Sequence, residues 1–213
     1  MRPEPFRRVG LFVDWNSQIL AAPSAFDDNV EERCRYALKS VGKSVAKLLC
    51  SLDSDSLFRV RVRLYHGWTS GTMQTANRRA FNIIPETLSP DEIFPSNRVN
   101  ALSDIEFGDR LIDALSHREI SPSRIHLPNT LRKQRGGTPP VEKMVDTALA
   151  ADLLAWARHE PTSIAIVFSG DDDIIPPVFV AEAWMAPSKG SLYLVRPKNR
   201  AESRYLVLEG LLS

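Results

Sequence analysis

The sequence has few features that would stabilise or localise it by means other than a buried core. Only two of its 213 residues are cysteines, Cys34 and Cys50. Both fall within one predicted helix, which fits reduced thiols in a cytosolic protein better than a disulfide framework. The first apolar run, residues 9–13, is too short for the core of a signal peptide or for a membrane span. We therefore expect a soluble, cytoplasmic protein.

The sequence also lacks an excess of charge of either sign. Its 27 Lys and Arg residues against 26 Asp and Glu residues give a net charge of +1, so a nucleic-acid partner must be held by a local basic patch. The four histidines are not spaced as zinc ligands, and no Ser/His/Asp arrangement stands out. Gly42-Lys43-Ser44 imitates the end of a phosphate-binding loop, but it lies inside a predicted helix and we reject it.

Strands that alternate with helices are what the chain does contain. Residues 9–13 and 163–168 are continuous apolar runs, typical of parallel strands buried on both faces. Alternating apolar and basic residues predict a strand with one polar face over Leu57–Tyr65, and a last strand is predicted over Ser191–Val195. Apolar residues at helical spacing predict helices over residues 29–52, 144–156 and 176–184.

The middle of the chain is less regular. Residues 86–99 predict an irregular connection, the second half of residues 101–118 a helix, residues 124–127 a strand, and residues 132–140 a basic loop. The alternation of strands and helices as a whole predicts an open α/β sheet, with a ligand beyond the carboxyl ends of its strands.

Acidic residues follow both continuous apolar strands. Asp14 ends the first strand, and Asp171, Asp172 and Asp173 come shortly after the second. Because the carboxyl ends of parallel strands share one edge of a sheet, we expect these acids to converge there, together with Asp146 in the first turn of the preceding helix. Crowded carboxylates repel one another unless a cation neutralises them, so the pattern predicts a site for Mg²⁺ or Mn²⁺ and suits phosphodiester hydrolysis.

Three blocks of sequence carry these acids in a fixed order: Leu11-Phe-Val-Asp-Trp-Asn16, Glu142-Lys-Met-Val-Asp-Thr-Ala-Leu-Ala-Ala-Asp-Leu153 and Phe168-Ser-Gly-Asp-Asp-Asp-Ile-Ile-Pro176. Together they resemble the NYN domains, which include the LabA-like proteins and form a branch of the PIN-like metal-dependent ribonucleases. The resemblance frames residues 9–197. It implies a single PIN-like, Rossmann-like domain over residues 1–213, with a central, mostly parallel sheet flanked by helices.

The resemblance also implies roles for individual residues. The residues that would hold the metal and carry catalysis are Asp14, Asp146, Asp171 and Asp173. Two positions depart from the family's pattern. The family often has Asp-x-x-Asn in the first block, but here the third residue after Asp14 is Ser17 and the asparagine comes one position earlier, at Asn16. The family usually has Lys-Gly-Val-Asp at the start of the helix block, and here Met144 takes the place of the glycine. A glycine there would permit a closer approach of the backbone. Asn16 and Ser17 are our candidates for contacts with the substrate.

Further residues are expected to support this site. Four basic side chains flank the second block and are predicted to attract a phosphate backbone, with a solvated loop as the alternative: Arg132, Lys133, Arg135 and Lys143. Asp152 lies on a different helical face from Asp146, so we expect it to have a structural role or to support the ligands. For Asp172 we expect either exposure to solvent or the same supporting role.

Several of these features have a purely structural alternative. Asp14 and Asn16 also suit the cap of a helix, and Asp146 suits a favourable charge in a first helical turn. The aromatic residues after the Leu57–Tyr65 strand either stack on a base or pack in the core; they are Tyr65, His66 and Trp68.

The sequence favours a metal-dependent nuclease, such as an endoribonuclease, that hydrolyses phosphodiester bonds in RNA rather than in DNA, and it leaves open whether cleavage is internal or from an end. Two alternatives stay open. One is a PIN-like module that binds RNA or a protein without cutting, and the other is a phosphatase acting on small nucleotides. The sequence predicts no membrane partner, and it leaves open whether the protein is a homodimer or part of a larger complex.

Overall fold

The computed structural model describes residues 6–101, 105–112, 130–132, 134 and 140–196 of the chain. In these residues strands and helices alternate along the sequence. The strands are β1 (Phe6–Asp14), β2 (Leu57–Tyr65), β3 (Thr69–Ser70), β4 (Met73–Gln74), β5 (Val99–Ala101), β6 (Glu106–Phe107), β7 (Leu131–Arg132), β8 (Val141–Glu142), β9 (Ile164–Phe168) and β10 (Ser191–Val195). The helices are α1 (Trp15–Leu20), α2 (Val30–Leu52), α3 (Ala76–Ala80), α4 (Ile84–Thr87), α5 (Pro90–Ile93), α6 (Val145–His159) and α7 (Ile175–Met185).

Local sequence accounts for where the long helices begin and end. The side chain of Asn29 caps α2 by accepting a hydrogen bond from the backbone N–H of Glu32, at 3.1 Å. Pro176 suits the first turn of α7, where a backbone N–H has no helical partner. Arg158 and His159 lie in the last turn of α6, at the end of the helix dipole that favours positive charge.

One parallel sheet organises the described residues. Its order is β10-β9-β1-β2-β5, and the short strand β6 also pairs with β2. Every pairing within this sheet is parallel, and β1 runs beside β2 from Phe6↔Leu57 to Asp14↔Tyr65. The predicted α/β class, with a central and mostly parallel sheet flanked by helices, is confirmed.

Helices cover both faces of the sheet, because residues of the central strands alternate between two clusters of buried side chains. Leu11 and Val13 of β1 belong to the cluster that includes α2. Phe12 belongs to the cluster that includes α6 and α7. Gly10 lets α6 approach the sheet closely, since a Cβ atom there would lie only 2.6 Å from the indole of Trp156.

The predicted polar face of β2 is wrong for Arg63, which is buried. Its side chain forms ion pairs with Asp152 of α6, at 2.8 Å, and with Glu106 of β6, at 2.5 Å. Asp152 also accepts a hydrogen bond from the hydroxyl of Tyr65, at 2.8 Å. Because α6 and β6 supply the two carboxylates, a basic residue on this strand is neutralised beneath the surface rather than exposed to water.

Outside the main sheet, the predictions have mixed outcomes. The irregular connection predicted for residues 86–99 is wrong in part, since α5 begins there at a capping box formed by Ser89 and Glu92. The helix predicted within residues 101–118 and the strand predicted over residues 124–127 fall largely or wholly outside the described residues. Within the described part of the chain, no helix is both long enough and apolar enough to cross a bilayer.

Candidate functional site

A cleft opens where the strand order of the sheet reverses. From β1 the chain passes through α2 to β2 on one side, whereas β9 and β10 lie on the other side of β1. In open parallel sheets, ligands bind beyond the carboxyl ends of the strands at such a switch point. The cleft has a volume of about 660 Å³, and residues that follow β1, β9 and β10 line it.

Carboxylates dominate this cleft. Five acidic side chains line it: Asp14, Glu142, Asp146, Asp171 and Asp172. Arg196 is the one basic residue among the described lining residues. The predicted substrate-contacting residues Asn16 and Ser17 also lie on its wall, beside the apolar residues Leu20 and Ala21. The acids predicted to converge from β1, α6 and the loop after β9 thus meet at one cleft.

Asp14 is buried at the base of the cleft, with 6% of its surface exposed. Its carboxylate accepts hydrogen bonds from the backbone N–H of Ser17 at 3.2 Å, from the Ser17 hydroxyl, and from the Ser169 hydroxyl at 3.0 Å. The first of these bonds caps α1, so the structural alternative for Asp14 holds, and it is compatible with a second role at the cleft.

Ser17, which departs from the family's pattern, joins the loops after β1 and β9. Its hydroxyl donates to Asp14 and accepts a hydrogen bond from the backbone N–H of Gly170, at 3.2 Å. Ser169 makes a parallel link, because its oxygen accepts from the N–H of Asp171 at 3.0 Å while its hydroxyl donates to Asp14. The two serines therefore fix the position of Asp14 relative to Asp171.

The three consecutive acids after β9 have different surroundings. Asp171 lines the cleft and caps the short 3-10 helix Asp172–Ile174, where it accepts a hydrogen bond from the N–H of Asp173 at 2.9 Å. Asp172 also lines the cleft and forms an ion pair with Arg196 at 2.6 Å. Asp173 is exposed and is not among the lining residues. Its role as a metal ligand stays a prediction.

Asp146 and Glu142 form the opposite wall. Asp146 is exposed to solvent in the first turn of α6, yet the pKa of its carboxyl is raised, chiefly by the protein that partly surrounds it and further by Asp14, Asp171 and Glu142. Each of these carboxylates is thus close enough to Asp146 to disfavour its ionised form. The structure brings together three of the four predicted ligands, Asp14, Asp146 and Asp171, and it adds Glu142.

Sequence reasoning missed Glu142 as a site residue. Its side chain accepts a hydrogen bond from the N–H of Gly67 at 2.5 Å and pairs with Nδ1 of His66. Burial alone would raise the pKa of Glu142, but the bonds to His66 and Gly67 outweigh burial and hold the pKa below its usual range. The available signal was its position, since Glu142 opens the second of the family-like blocks.

Met144 adopts the left-handed conformation that the family's glycine would suit. Its backbone has φ 67° and ψ 1°, and it immediately precedes α6. A residue with a Cβ atom in this conformation costs about 1–2 kcal/mol relative to a right-handed one. The turn into α6 therefore has a conformation that glycine would adopt more readily, and Met144 adopts it at a cost in stability.

The donor chemistry of this cleft fits a hydrated divalent cation. Among the described residues, no three His, Cys, Asp or Glu side chains are grouped closely enough to enclose a metal ion. Mg²⁺ does not need such a cage, because it commonly keeps several water ligands and binds through one or two carboxylates. One or two of the carboxylates of Asp14, Asp146 and Asp171, which line the same cleft, suit that mode of binding.

The other predicted residues lie away from the cleft or outside the described parts. Arg132 and Lys143 are exposed and do not line it, and Lys133 and Arg135 are outside the described residues. Asp152 is buried, with contacts to Arg63 and Tyr65, and does not line the cleft. Tyr65 and Trp68 are fully buried, His66 is largely buried, and Gly42 lies within α2, so neither base stacking nor a phosphate loop is found at these positions.

Comparisons of the whole chain with models of known protein families, with curated proteins and with solved structures give no match.

Proposed function

We propose that the chain is a metal-dependent nuclease that hydrolyses phosphodiester bonds in RNA. The observation that carries the proposal is the meeting of Asp14, Asp146 and Asp171 at one cleft, although the three come from separate segments of the chain. Burial first, and then repulsion from Asp14 and Asp171, raises the pKa of Asp146, and this repulsion costs stability unless a cation is bound. A cation bound at this edge of the sheet would remove the repulsion between the carboxylates.

The residues that line the cleft have two roles: some would bind the metal ion and others would contact the substrate. One or two of the carboxylates of Asp14, Asp171 and Asp146 would bind a hydrated Mg²⁺ or Mn²⁺, and Ser17 and Ser169 link Asp14 to the loop that carries Asp171. When bound, the ion polarises a phosphoryl oxygen and lowers the pKa of a coordinated water to make it a nucleophile. Asn16 and Ser17 line the path of the substrate, and Leu20 and Ala21 give that path an apolar side. No side chain needs to become covalently attached to the substrate.

The experiment measures cleavage of a labelled single-stranded RNA by the purified chain with Mn²⁺. We expect cleavage that EDTA abolishes, and a loss of at least 100-fold in kcat/KM for Asp14→Asn and for Asp171→Asn. Asparagine is as good a helix cap as aspartate, so these variants remove charge while keeping the capping role. Asp91→Asn, at an exposed position in α5, is the matched control and should cleave like the wild type. Wild-type protein that leaves all RNA and DNA substrates intact contradicts the proposal.

A second candidate function is a module of the same fold that binds RNA without cutting it. The observation that favours it is that Asp14 already accepts three hydrogen bonds, which leaves it fewer lone pairs for a metal ion. Parallel measurement of RNA binding separates the two: binding without turnover supports this module. Preferential hydrolysis of mononucleotides over oligomers would instead indicate a phosphatase.

A further inference from the structure

Arg196 is the feature of the cleft that the metal site does not explain. It is the first residue after β10, in a cleft otherwise lined by carboxylates and by neutral residues. A phosphodiester that enters such a cleft meets strong repulsion from the acids, which a single bound cation offsets only in part. A guanidinium on the same wall supplies the missing positive charge and matches the geometry of phosphate oxygens.

The fold holds Arg196 firmly at this place. β10 pairs in parallel with β9, with Val195 opposite Phe168, and the carbonyl of Val195 accepts a hydrogen bond from the N–H of Ser169 at 3.2 Å. Arg196 therefore follows the sheet directly, beside the serine that binds Asp14. Its side chain is only 16% exposed, so most of its length is packed against protein.

The two side chains of the Arg196–Asp172 ion pair differ in their exposure to solvent. The Nη2 atom of Arg196 lies 2.6 Å from Oδ1 of Asp172, whose side chain is 67% exposed. An ion pair with so exposed a partner contributes little net free energy, about 0–1 kcal/mol. An incoming phosphate group can therefore replace the carboxylate of Asp172 at low cost, while the guanidinium stays in position.

We propose that Arg196 binds a phosphate group of the substrate's backbone and that Asp172 forms an ion pair with the Arg196 guanidinium when the cleft is empty. This inference deepens the proposed function and rests on it for the identity of the substrate as a nucleic-acid strand. It adds a directional feature: the contact between Arg196 and the strand's phosphate lies on the β10 side of the cleft.

The test measures binding separately from cleavage. Fluorescence anisotropy of a labelled single-stranded RNA with Ca²⁺ reports the Kd, and cleavage with Mn²⁺ reports KM and kcat. We expect Arg196→Ala to raise Kd and KM at least tenfold with a smaller change in kcat, and Arg196→Lys to lie between it and the wild type. The matched control is Arg158→Ala, which removes the same charge from an exposed position roughly 18 Å along α6 from Asp146. This control should bind like the wild type.

Two further readouts separate phosphate binding from a merely structural role. Loss of one phosphate contact lowers the slope of log Kd against log salt by about 0.7 for a single strand, so Arg196→Ala should show that decrease and Arg158→Ala should not. Asp172→Asn frees the guanidinium and removes a negative charge, so this variant should bind RNA at least as tightly as the wild type. If Asp172→Asn weakens binding as much as Arg196→Ala, the pair is structural and the proposal is wrong.

The outcomes also distinguish this proposal from the proposed function. RNA binding that depends on Arg196 without any cleavage supports the phosphate contact and contradicts the nuclease. Cleavage that depends on Asp14 and Asp171 but is unaffected by Arg196→Ala supports the nuclease and overturns the phosphate contact. Wild-type protein that neither binds nor cleaves RNA overturns both.

Discussion

Two buried serines flank β9, and their replacement by alanine separates the stability of the fold from the chemistry of the cleft. Ser169 follows the strand, donates a hydrogen bond to Asp14 and accepts one from the N–H of Asp171. Ser163 precedes the strand, accepts a hydrogen bond from the indole of Trp156 at 2.8 Å and donates one to the carbonyl of Glu160 at 2.7 Å. Each hydroxyl is buried and makes two hydrogen bonds, but only that of Ser169 lies at the carboxyl edge.

The expected loss of stability is similar for the two variants. Each substitution removes two hydrogen bonds of a buried hydroxyl, which costs up to about 3 kcal/mol. In a chain of this size such a loss lowers Tm by roughly 6–12 °C. We therefore expect Ser169→Ala and Ser163→Ala to unfold at comparable temperatures, well below the wild type, when metal is removed with EDTA.

The response to metal distinguishes them. A divalent cation at 100 times its Kd stabilises the folded protein by about 2.7 kcal/mol. Residues that orient metal ligands typically affect affinity by about 10–100-fold, so Ser169→Ala should need that much more Mn²⁺ to reach the same rise in Tm. Ser163→Ala should keep the wild-type response. Thermal unfolding followed over a Mn²⁺ titration is the assay, and equal metal responses of the two variants would refute the role assigned to Ser169.

Four further substitutions, at three residues, test individual side chains. The pKa of Asp146 is raised from its usual 3.8, so the protonated carboxyl contributes its full stability below pH 3.8, and this contribution is lost as the pH rises through the raised pKa. In EDTA, Asp146→Asn should therefore have a higher Tm than the wild type at pH 7 but not at pH 3. The pKa of Asp53 is lowered to about 2, first by the hydroxyl of Ser56, so its contribution is present above pH 3.8 and is lost as the pH falls towards 2, and Asp53→Asn should flatten acid unfolding in that window. Met144→Gly relieves the left-handed backbone but adds freedom to the unfolded chain, so urea unfolding should show a change within about 1 kcal/mol, whereas Met144→Val should lose more than that.

The sequence was sufficient to predict the sheet and the convergence of acids because both depend on short-range patterns. Continuous apolar runs identified β1 and β9, and parallel pairing then placed the residues after them on one edge. The distinction between Asp146 and Asp152 was also predictable, since it follows from the period of a single helix.

The residues that sequence reasoning missed depend on long-range placement. The link from Ser169 to Asp14 arises only when β1 and β9 pair in their observed register. Arg63 looked like part of a solvated face, because nothing local shows that α6 brings Asp152 over β2. Glu142 faces the cleft because Gly67 and His66 hold its side chain. Such contacts link segments that are far apart in the chain.

The hydrogen bonds around Ser17 and Ser169 also bear on selectivity among cations. They connect Gly170, Ser17, Asp14, Ser169 and Asp171 into one chain, so the β1/β9 wall resists displacement. Among the described hydrogen bonds, none joins Asp146 or Glu142 to the β1/β9 wall. Asp146 projects from α6, and the side chain of Glu142 contacts Gly67 and His66. If a cation binds as proposed, the exposed side chain of Asp146, at the start of α6, has the most freedom to adjust to a larger ionic radius. The strained backbone at the start of α6 then becomes a determinant of which ionic radii the cleft tolerates.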